Sequence, residues 1–197
     1  MSSQSALDAF WFSITIGLSP GACATGGSND AMMNNSSTGT LLLSLHVTHE
    51  ALMTEALELA RRARDASEVP IGAIVAIGDA IVGRGFNQPL SARDPTAHAE
   101  IVAIRAAARH VGNYRLTGAT LCVTVEPCLM CVGALVHARI GTLVFGATEP
   151  RMGAVTSTVR GGELPGHNHR FEIVSGILEG ECRALMQEFF KERRFSR

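Results

Sequence analysis

Short apolar runs rich in β-branched residues alternate along this chain with longer segments whose apolar residues recur at helical spacing. The run at residues 71–77 turns at Gly78-Asp79 and returns through 80–86, which indicates a β-hairpin. Further strands are predicted at 120–125, 142–145 and 171–174, and helices at 47–65, 97–109, 127–138 and 179–194. This alternation predicts an α/β fold of three layers, α/β/α, with helices on both faces of a mixed five-stranded sheet.

The first 45 residues differ in composition from the rest of the chain. They are rich in Ser, Gly, Asn, Thr and Ala and contain no Lys or Arg. Such a segment buries too little apolar surface to order itself, so residues 1–45 are predicted to be a disordered extension or a misassigned start. The alternative is a targeting segment, because residues 6–18 are apolar, but no cation precedes them. We expect one folded domain over residues 46–197.

The charge balance limits the partners of this domain. With 17 Lys plus Arg against 18 Asp plus Glu, the formal net charge is −1, so no broad basic field exists to hold nucleic acid non-specifically. Any such binding must come from a local patch. Aromatic residues make up only 5% of the chain, which disfavours a platform that stacks many successive bases. No apolar run reaches the roughly 20 residues that a spanning helix needs, so no membrane partner is expected.

Cysteine usage points to a reducing compartment, and we expect the cytoplasm. The chain has five cysteines, an odd number at low density, which is not typical of a disulfide-stapled secreted protein. Two of them, Cys128 and Cys131, form a C-x-x-C pair in the predicted first turn of a helix. Residues three apart on a helix lie on the same side, so both sulfurs can face one point.

A histidine and a glutamate at the start of another predicted helix complete a candidate metal centre. His98 begins that helix, and Glu100 follows two residues later. One imidazole and two thiolates without an obvious fourth ligand are the composition of a catalytic zinc site, which keeps one position open for water. The partial positive charge of a helix N-terminus favours thiolates. Glu100 would then take a proton from that water and pass it to a leaving group.

Two other interpretations of the cysteine pair stay open on spacing alone. A redox pair would not require His98 and Glu100 on a separate helix. A structural zinc site would need a fourth protein ligand, for which the chain offers His110, His137, Cys122 and Cys182.

The pairing of His98-Ala99-Glu100 with Pro127-Cys128 and Cys131 resembles the H-x-E and P-C-x-x-C signature of the zinc-dependent nucleobase deaminases. The chain is most similar to the family of bacterial tRNA-specific adenosine deaminases. The similarity covers about residues 46–195, with matching stretches at 68–73, 85–89, 94–100, 113–116, 125–131, 137–140, 144–146 and 189–194.

This resemblance implies a cytidine deaminase-like fold and hydrolytic deamination of the wobble adenosine to inosine in a tRNA anticodon. It implies one Zn²⁺ per subunit, bound by His98, Cys128 and Cys131, with Glu100 as the proton shuttle. It also implies a homodimer that acts on the anticodon stem-loop of an arginine tRNA. By the same comparison Asn87 contacts the target nucleotide, and the alternative on spacing alone is an ordinary turn asparagine before Pro89.

The tRNA-contacting positions depart from the family pattern in one loop. Family members usually have an aspartate followed two residues later by a lysine, where this chain has Glu149-Pro150-Arg151. The charges are kept, so Glu149 and Arg151 are predicted substrate contacts. Arg193 and Arg194 belong to a basic C-terminal cluster with Lys191 and Arg197. This cluster is predicted to contact tRNA phosphates, and its alternative is a solvated helix end.

Two alternative functions remain at the level of sequence. The first is a deaminase of a free nucleobase or nucleoside, such as cytosine, guanine or cytidine, because the same zinc motifs serve those substrates. The second is a zinc-stabilised binding module without turnover.

Overall fold

The computed structural model describes residues 47–195, so the prediction for residues 1–45 lies outside the described residues. The helices are α1 (His49–Asp65), α2 (Pro89–Ala92), α3 (Ala99–Val111), α4 (Leu129–Ala138) and α5 (Glu179–Phe195). The strands are β1 (Gly72–Ile77), β2 (Ala80–Phe86), β3 (Thr120–Val125), β4 (Thr142–Ala147) and β5 (Glu172–Ser175). A short 3-10 helix forms at Gly161–Glu163.

The five strands form one mixed sheet in the order β2-β1-β3-β4-β5. β1 pairs antiparallel with both β2 and β3, whereas β3, β4 and β5 run parallel. The mixed five-stranded sheet predicted from the alternation of elements is therefore confirmed. The parallel pairs need crossover connections, and α4 provides the one between β3 and β4.

Alternate residues of the central strands face two separate apolar cores. Val75, Val123 and Phe145 pack with residues of α3 and α4 on one face of the sheet. Ile74, Cys122 and Val144 pack with residues of α1 and α5 on the other face. Since strand side chains alternate between faces, one residue of register shift would exchange the two cores. Helices on both faces confirm the three-layer architecture.

The predicted helix at 127–138 begins two residues later than the sequence suggested. Cys128 is the N-cap of α4, with extended backbone at φ −75° and ψ 170°. The helix therefore starts at Leu129, and Cys128 precedes its first turn. The short helix α2 and the 3-10 helix were not predicted, because segments of three or four residues carry too little periodicity to be recognised.

Two glycines of β2 allow α3 to lie directly against the sheet. A Cβ atom at Gly83 would lie 2.4 Å from the carbonyl oxygen of Ala103. A Cβ atom at Gly85 would lie 2.3 Å from the carbonyl oxygen of Ala99. Both distances are far inside van der Waals contact, so only glycine lets the first turns of α3 approach this closely.

Four chain segments meet at one edge of the sheet. β1 begins at this edge, and β2, β3 and β4 end there, as the pairing of Gly72 with Phe86 and of Val125 with Ala147 shows. The carboxyl edge of parallel strands is the usual position for a ligand in an open α/β sheet. Within residues 47–195, no helix combines the length and the apolar character needed to cross a bilayer.

Replacing Gly85 with alanine is expected to destabilise the protein by displacing the start of α3. Overpacking of this kind typically costs about 1–3 kcal/mol of unfolding free energy. Urea denaturation of the Gly85→Ala variant measures the effect.

The matched control is Gly180→Ala, because Gly180 lies in the first turn of α5 and its Cβ would have no neighbour within 4 Å. This variant is expected to be as stable as the wild type or up to about 1 kcal/mol more stable. Equal stability of the two variants would contradict the close approach of α3 and β2.

Candidate active site

Three potential metal ligands converge at the N-termini of α3 and α4. Nδ1 of His98 lies 3.6 Å from Sγ of Cys128 and 3.6 Å from Sγ of Cys131. The two sulfurs are 3.7 Å apart. The three side chains, separated by about 30 residues in sequence, are thus adjacent in space, as the sequence predicted.

Two of the three ligands occupy N-cap positions, where a capping side chain is usually found. His98 is the N-cap of α3 and Cys128 the N-cap of α4, and neither side chain makes a capping hydrogen bond. Their extended backbone, rather than helical geometry, directs the two side chains toward each other. The partial positive charge of both helix ends then acts on the same small volume.

These distances fit a tetrahedral zinc ion. Zn–S bonds of about 2.3 Å and a Zn–N bond of about 2.1 Å at tetrahedral angles require an S···S separation of about 3.8 Å and N···S separations of about 3.6 Å. In residues 47–195 these three side chains form the only group of three or more ligands close enough to share an ion. Cys122 and Cys182 belong to the α1–α5 core on the other side of the sheet.

The electrostatics of the group favour a thiolate. The hydrogen bonds from the Cys131 thiol and from His98 lower the pKa of the Cys128 thiol to about 4. Thiolate is the form that binds zinc, so the lowered pKa reduces proton competition at Cys128, whereas the contact with Cys128 and burial raise the pKa of the Cys131 thiol.

Glu100 lies in the first turn of α3 and lines the same cavity as His98 and Cys128. Its side chain is buried, with 4% of its surface exposed. Burial penalises the charged carboxylate and raises the pKa of Glu100 above its ordinary value. A carboxyl group whose pKa is raised toward neutrality is suited to both accepting and donating a proton.

Asn87 follows β2 and contacts the start of α3. Its Oδ1 accepts a hydrogen bond of 2.9 Å from the backbone N–H of Ala99, and its own N–H donates to the carbonyl oxygen of Ile71. Because the side chain of His98 turns toward the sulfurs, Asn87 supplies the cap that the N-cap residue itself does not provide. This structural contact was not predicted from the sequence.

A cavity of about 560 Å³ opens beside the three ligands. Val69, Ile71 and Val125 contribute apolar walls. Three of the predicted substrate contacts also line it: Glu149, Arg151 and Arg194. Met152, Met186 and Phe190 complete the lining with apolar side chains that sequence reasoning missed, since nothing in their spacing separates them from ordinary core or surface residues.

Arg193 does not line this cavity among the described residues. Its guanidinium donates a hydrogen bond to the backbone carbonyl of Ser67 and lies 4.6 Å from the centre of the Phe189 ring. The structure therefore brings Arg194 to the cavity and directs its neighbour toward the α1–β1 connection. Arg197, the last member of the predicted basic cluster, lies outside the described residues.

Glu126 is a further residue of the site that sequence reasoning did not single out. It is buried directly after β3, two residues before Cys128, and it lines the cavity. Burial alone would raise the pKa of Glu126, but hydrogen bonds from Ser157, Thr156 and Glu149 outweigh it and lower the pKa to about 2. The carboxylate is therefore ionised. Its position immediately before Pro127-Cys128 was the one available signal.

Comparisons with known proteins agree with this geometry. The family described as "Cytidine and deoxycytidylate deaminase zinc-binding region" matches residues 46–147. A tRNA-specific adenosine deaminase of Haemophilus influenzae is 46% identical over 147 residues, covering 74% of this chain and 84% of that protein. A tRNA-specific adenosine deaminase of Bacillus subtilis is 41% identical, and the match covers 74% of this chain and 90% of that protein.

A solved structure from work on A-to-I editing by tRNA:A34 deaminases at the wobble position superposes with a TM-score of 0.67. The two sequences are 42% identical, and the match covers 68% of this chain and 97% of the chain in that structure. The family match falls on the segments that carry His98, Cys128 and Cys131. With a zinc-compatible ligand set, a buried glutamate beside it and relatives above 40% identity, this chain belongs to the tRNA-specific adenosine deaminases of the cytidine and deoxycytidylate deaminase family.

Proposed function

We propose that this protein hydrolyses the wobble adenosine of a tRNA anticodon to inosine. One observation carries the proposal: Glu100 is buried in the cavity that also contains His98 and Cys128, at a ligand set with zinc-compatible spacing. The similarity to tRNA-specific adenosine deaminases supports adenosine in tRNA as the substrate. The reaction consumes water and releases ammonia.

The residues divide the chemistry between them. His98, Cys128 and Cys131 would hold zinc, which when bound lowers the pKa of a coordinated water and so makes a nucleophile near neutral pH. Glu100 takes a proton from the attacking water and delivers it to the ring nitrogen next to C6. It then carries a second proton to the amino group, which leaves C6 as ammonia. A single buried carboxyl group can serve both steps because burial raises its pKa above the ordinary value and so favours its proton-carrying form.

A second cavity supports a polymeric substrate over a free base. This cavity, of about 660 Å³, extends along α5 and shares Glu149, Met186, Phe190 and Arg194 with the first one. It also includes Lys191. A free nucleobase would need only the first cavity, whereas the nucleotides that flank a target base need such an extension. Glu149, Arg151, Arg193 and Arg194 are the proposed tRNA contacts, the arginines through phosphates.

The remaining features rest on the family resemblance. We propose one zinc ion per subunit, a homodimer and the anticodon stem-loop of an arginine tRNA as the substrate. A cytoplasmic location is proposed because the relatives act on tRNA and because the five cysteines suggest a reducing compartment.

Glu100→Gln is expected to abolish deamination while zinc remains bound. General acid–base catalysis by one group is typically worth about 10²–10⁴-fold in rate, so a loss of at least about 100-fold is expected. The wild type and the variant are incubated with an arginine tRNA that carries a wobble adenosine, and cDNA sequencing reads inosine as guanosine. Elemental analysis of the same samples gives zinc per subunit.

The matched control is Glu50→Gln, an exposed residue in the first turn of α1 that should retain full activity. Conversion by Glu100→Gln at the wild-type rate would exclude its role as the proton shuttle. If the zinc-loaded wild type leaves tRNA unchanged but deaminates guanine, cytosine or cytidine, the free-base alternative replaces the present proposal.

Two substitutions separate the two roles of Asn87. Asn87→Asp keeps the oxygen that caps α3 but loses the amide donor available to a nucleotide. It is expected to keep the cap of α3 and to lose about tenfold in kcat/KM, the value of one hydrogen bond of about 1.4 kcal/mol. Asn87→Ala loses the cap as well, which costs about 1 kcal/mol of unfolding free energy. Unchanged kcat/KM in Asn87→Asp would leave Asn87 with capping alone.

Arg194→Ala is expected to weaken tRNA binding and to lower the slope of log Kd against log salt concentration by about 0.7 to 1. When a phosphate contact is lost, fewer counterions are released from the tRNA on binding, and the affinity depends less on salt. Fluorescence anisotropy at several salt concentrations measures the slope. Arg193→Ala is expected to change the slope less and to lower the unfolding free energy, because its guanidinium binds Ser67. An unchanged slope in Arg194→Ala would remove this residue from the tRNA contacts.

A further inference from the structure

Glu126 holds a loop that lines the cavity. We name residues 149–157 the rim loop, because Glu149, Arg151 and Met152 line the cavity. At the start of the rim loop, the N–H of Glu149 donates to Oε2 of Glu126 at 3.1 Å. At its end, the N–H groups of Val155, Thr156 and Ser157 donate to Oε1 at 3.0, 2.7 and 2.9 Å. The hydroxyl of Ser157 also donates to Oε2.

These contacts occupy the whole carboxylate. A carboxylate has two oxygens with about four lone-pair positions, and here at least five donors from one loop share them. Glu126 therefore has no acceptor capacity left for a substrate, although it lines the cavity. Gly153 permits this close approach of the loop, because a Cβ atom at position 153 would lie 2.5 Å from the carboxylate oxygen Oε2. A side chain at that position would displace the loop.

The hydrogen bonds of Glu126, which we call the anchor, join the rim loop to the segment that carries Cys128. Glu126 and Pro127 directly precede Cys128, and the carbonyl oxygen of Pro127 accepts a hydrogen bond of 2.8 Å from the N–H of Ala154. The backbone that presents the first cysteine ligand thus also binds the middle of the rim loop. Glu149 lies two residues after β4, so the end of that strand and these short contacts together set the position of Glu149 and Arg151 relative to Cys128.

We propose that Glu126 is a positioning residue for substrate binding: it holds the rim loop so that Glu149 and Arg151 face the cavity beside the metal ligands. The inference rests on the proposed function, because it assigns those two side chains to the tRNA. Glu126 acts through the loop and touches neither substrate nor metal. Its loss changes the affinity for the stem-loop and leaves the chemical step at Glu100 intact.

Glu126→Gln tests this with a minimal change of shape. The amide keeps an oxygen for the three N–H groups at the end of the rim loop, and its NH2 group replaces the oxygen that accepts from Glu149. The start of the loop then loses its anchor. KM for an anticodon stem-loop is expected to rise about tenfold with kcat within about twofold, since a hydrogen bond to a charged group is worth about 1.5 kcal/mol or more.

The control is Glu163→Gln, the same substitution on an exposed residue of the same β4–β5 connection, where the carboxylate pairs with Arg160. It should leave both kinetic constants unchanged. If Glu126→Gln does not fold, Ser157→Ala removes one donor to the carboxylate and should raise KM about threefold with kcat unchanged. A fall in kcat with KM unchanged, or the same effect in Glu163→Gln, overturns the proposal.

Hydrogen exchange provides a readout that needs no substrate. Amide exchange in residues 149–157 should be faster in Glu126→Gln than in the wild type and unchanged in Glu163→Gln. If the wild type converts no stem-loop adenosine, the proposed function fails, whereas faster exchange would still support the anchor. Unchanged exchange in the rim loop overturns the anchor whatever the activity.

Discussion

The N-termini of α3 and α4 present backbone N–H groups and partial positive charge at one edge of the sheet, and the site is built where these two ends meet. A helix end normally satisfies such groups with Ser, Thr, Asp or Asn at the N-cap. Here His98 and Cys128 occupy the N-caps and turn their side chains toward each other instead. The structure compensates at α3 through Asn87, and the positive charge of both ends stabilises thiolate.

The position of α3 against the sheet depends on the glycines of β2. Gly85 lets the first turn of α3 lie against the strand, while Asn87, two residues later, fixes the N–H of Ala99. One short segment of the chain therefore sets both how closely α3 lies to the sheet and where this helix begins. The Glu100 carboxyl group is buried as a result of this packing.

The parts of the molecule that the sequence predicted are those governed by local rules. Strand and helix periodicity predicted the mixed sheet, and the C-x-x-C pair together with His98 predicted the candidate metal-ligand group, although Cys128 lies before the helix and not in its first turn. The contacts of Glu126 could not be predicted, because its partners lie about 30 residues away in a loop without periodicity. Arg193 and Arg194 look equivalent in a basic cluster, but successive residues on a helix point about 100° apart, and only Arg194 reaches the cavity.

The residues that line the cavity belong to helices on both faces of the sheet and to distant parts of the chain. All three metal ligands precede residue 132, whereas Met186, Phe190 and Arg194 belong to α5. During translation the three ligands therefore leave the ribosome before the α5 residues that complete the cavity. The side chains that can share a metal ion and the wall that encloses the cavity are thus synthesised at different stages, and the cavity closes only when the last helix packs onto the sheet.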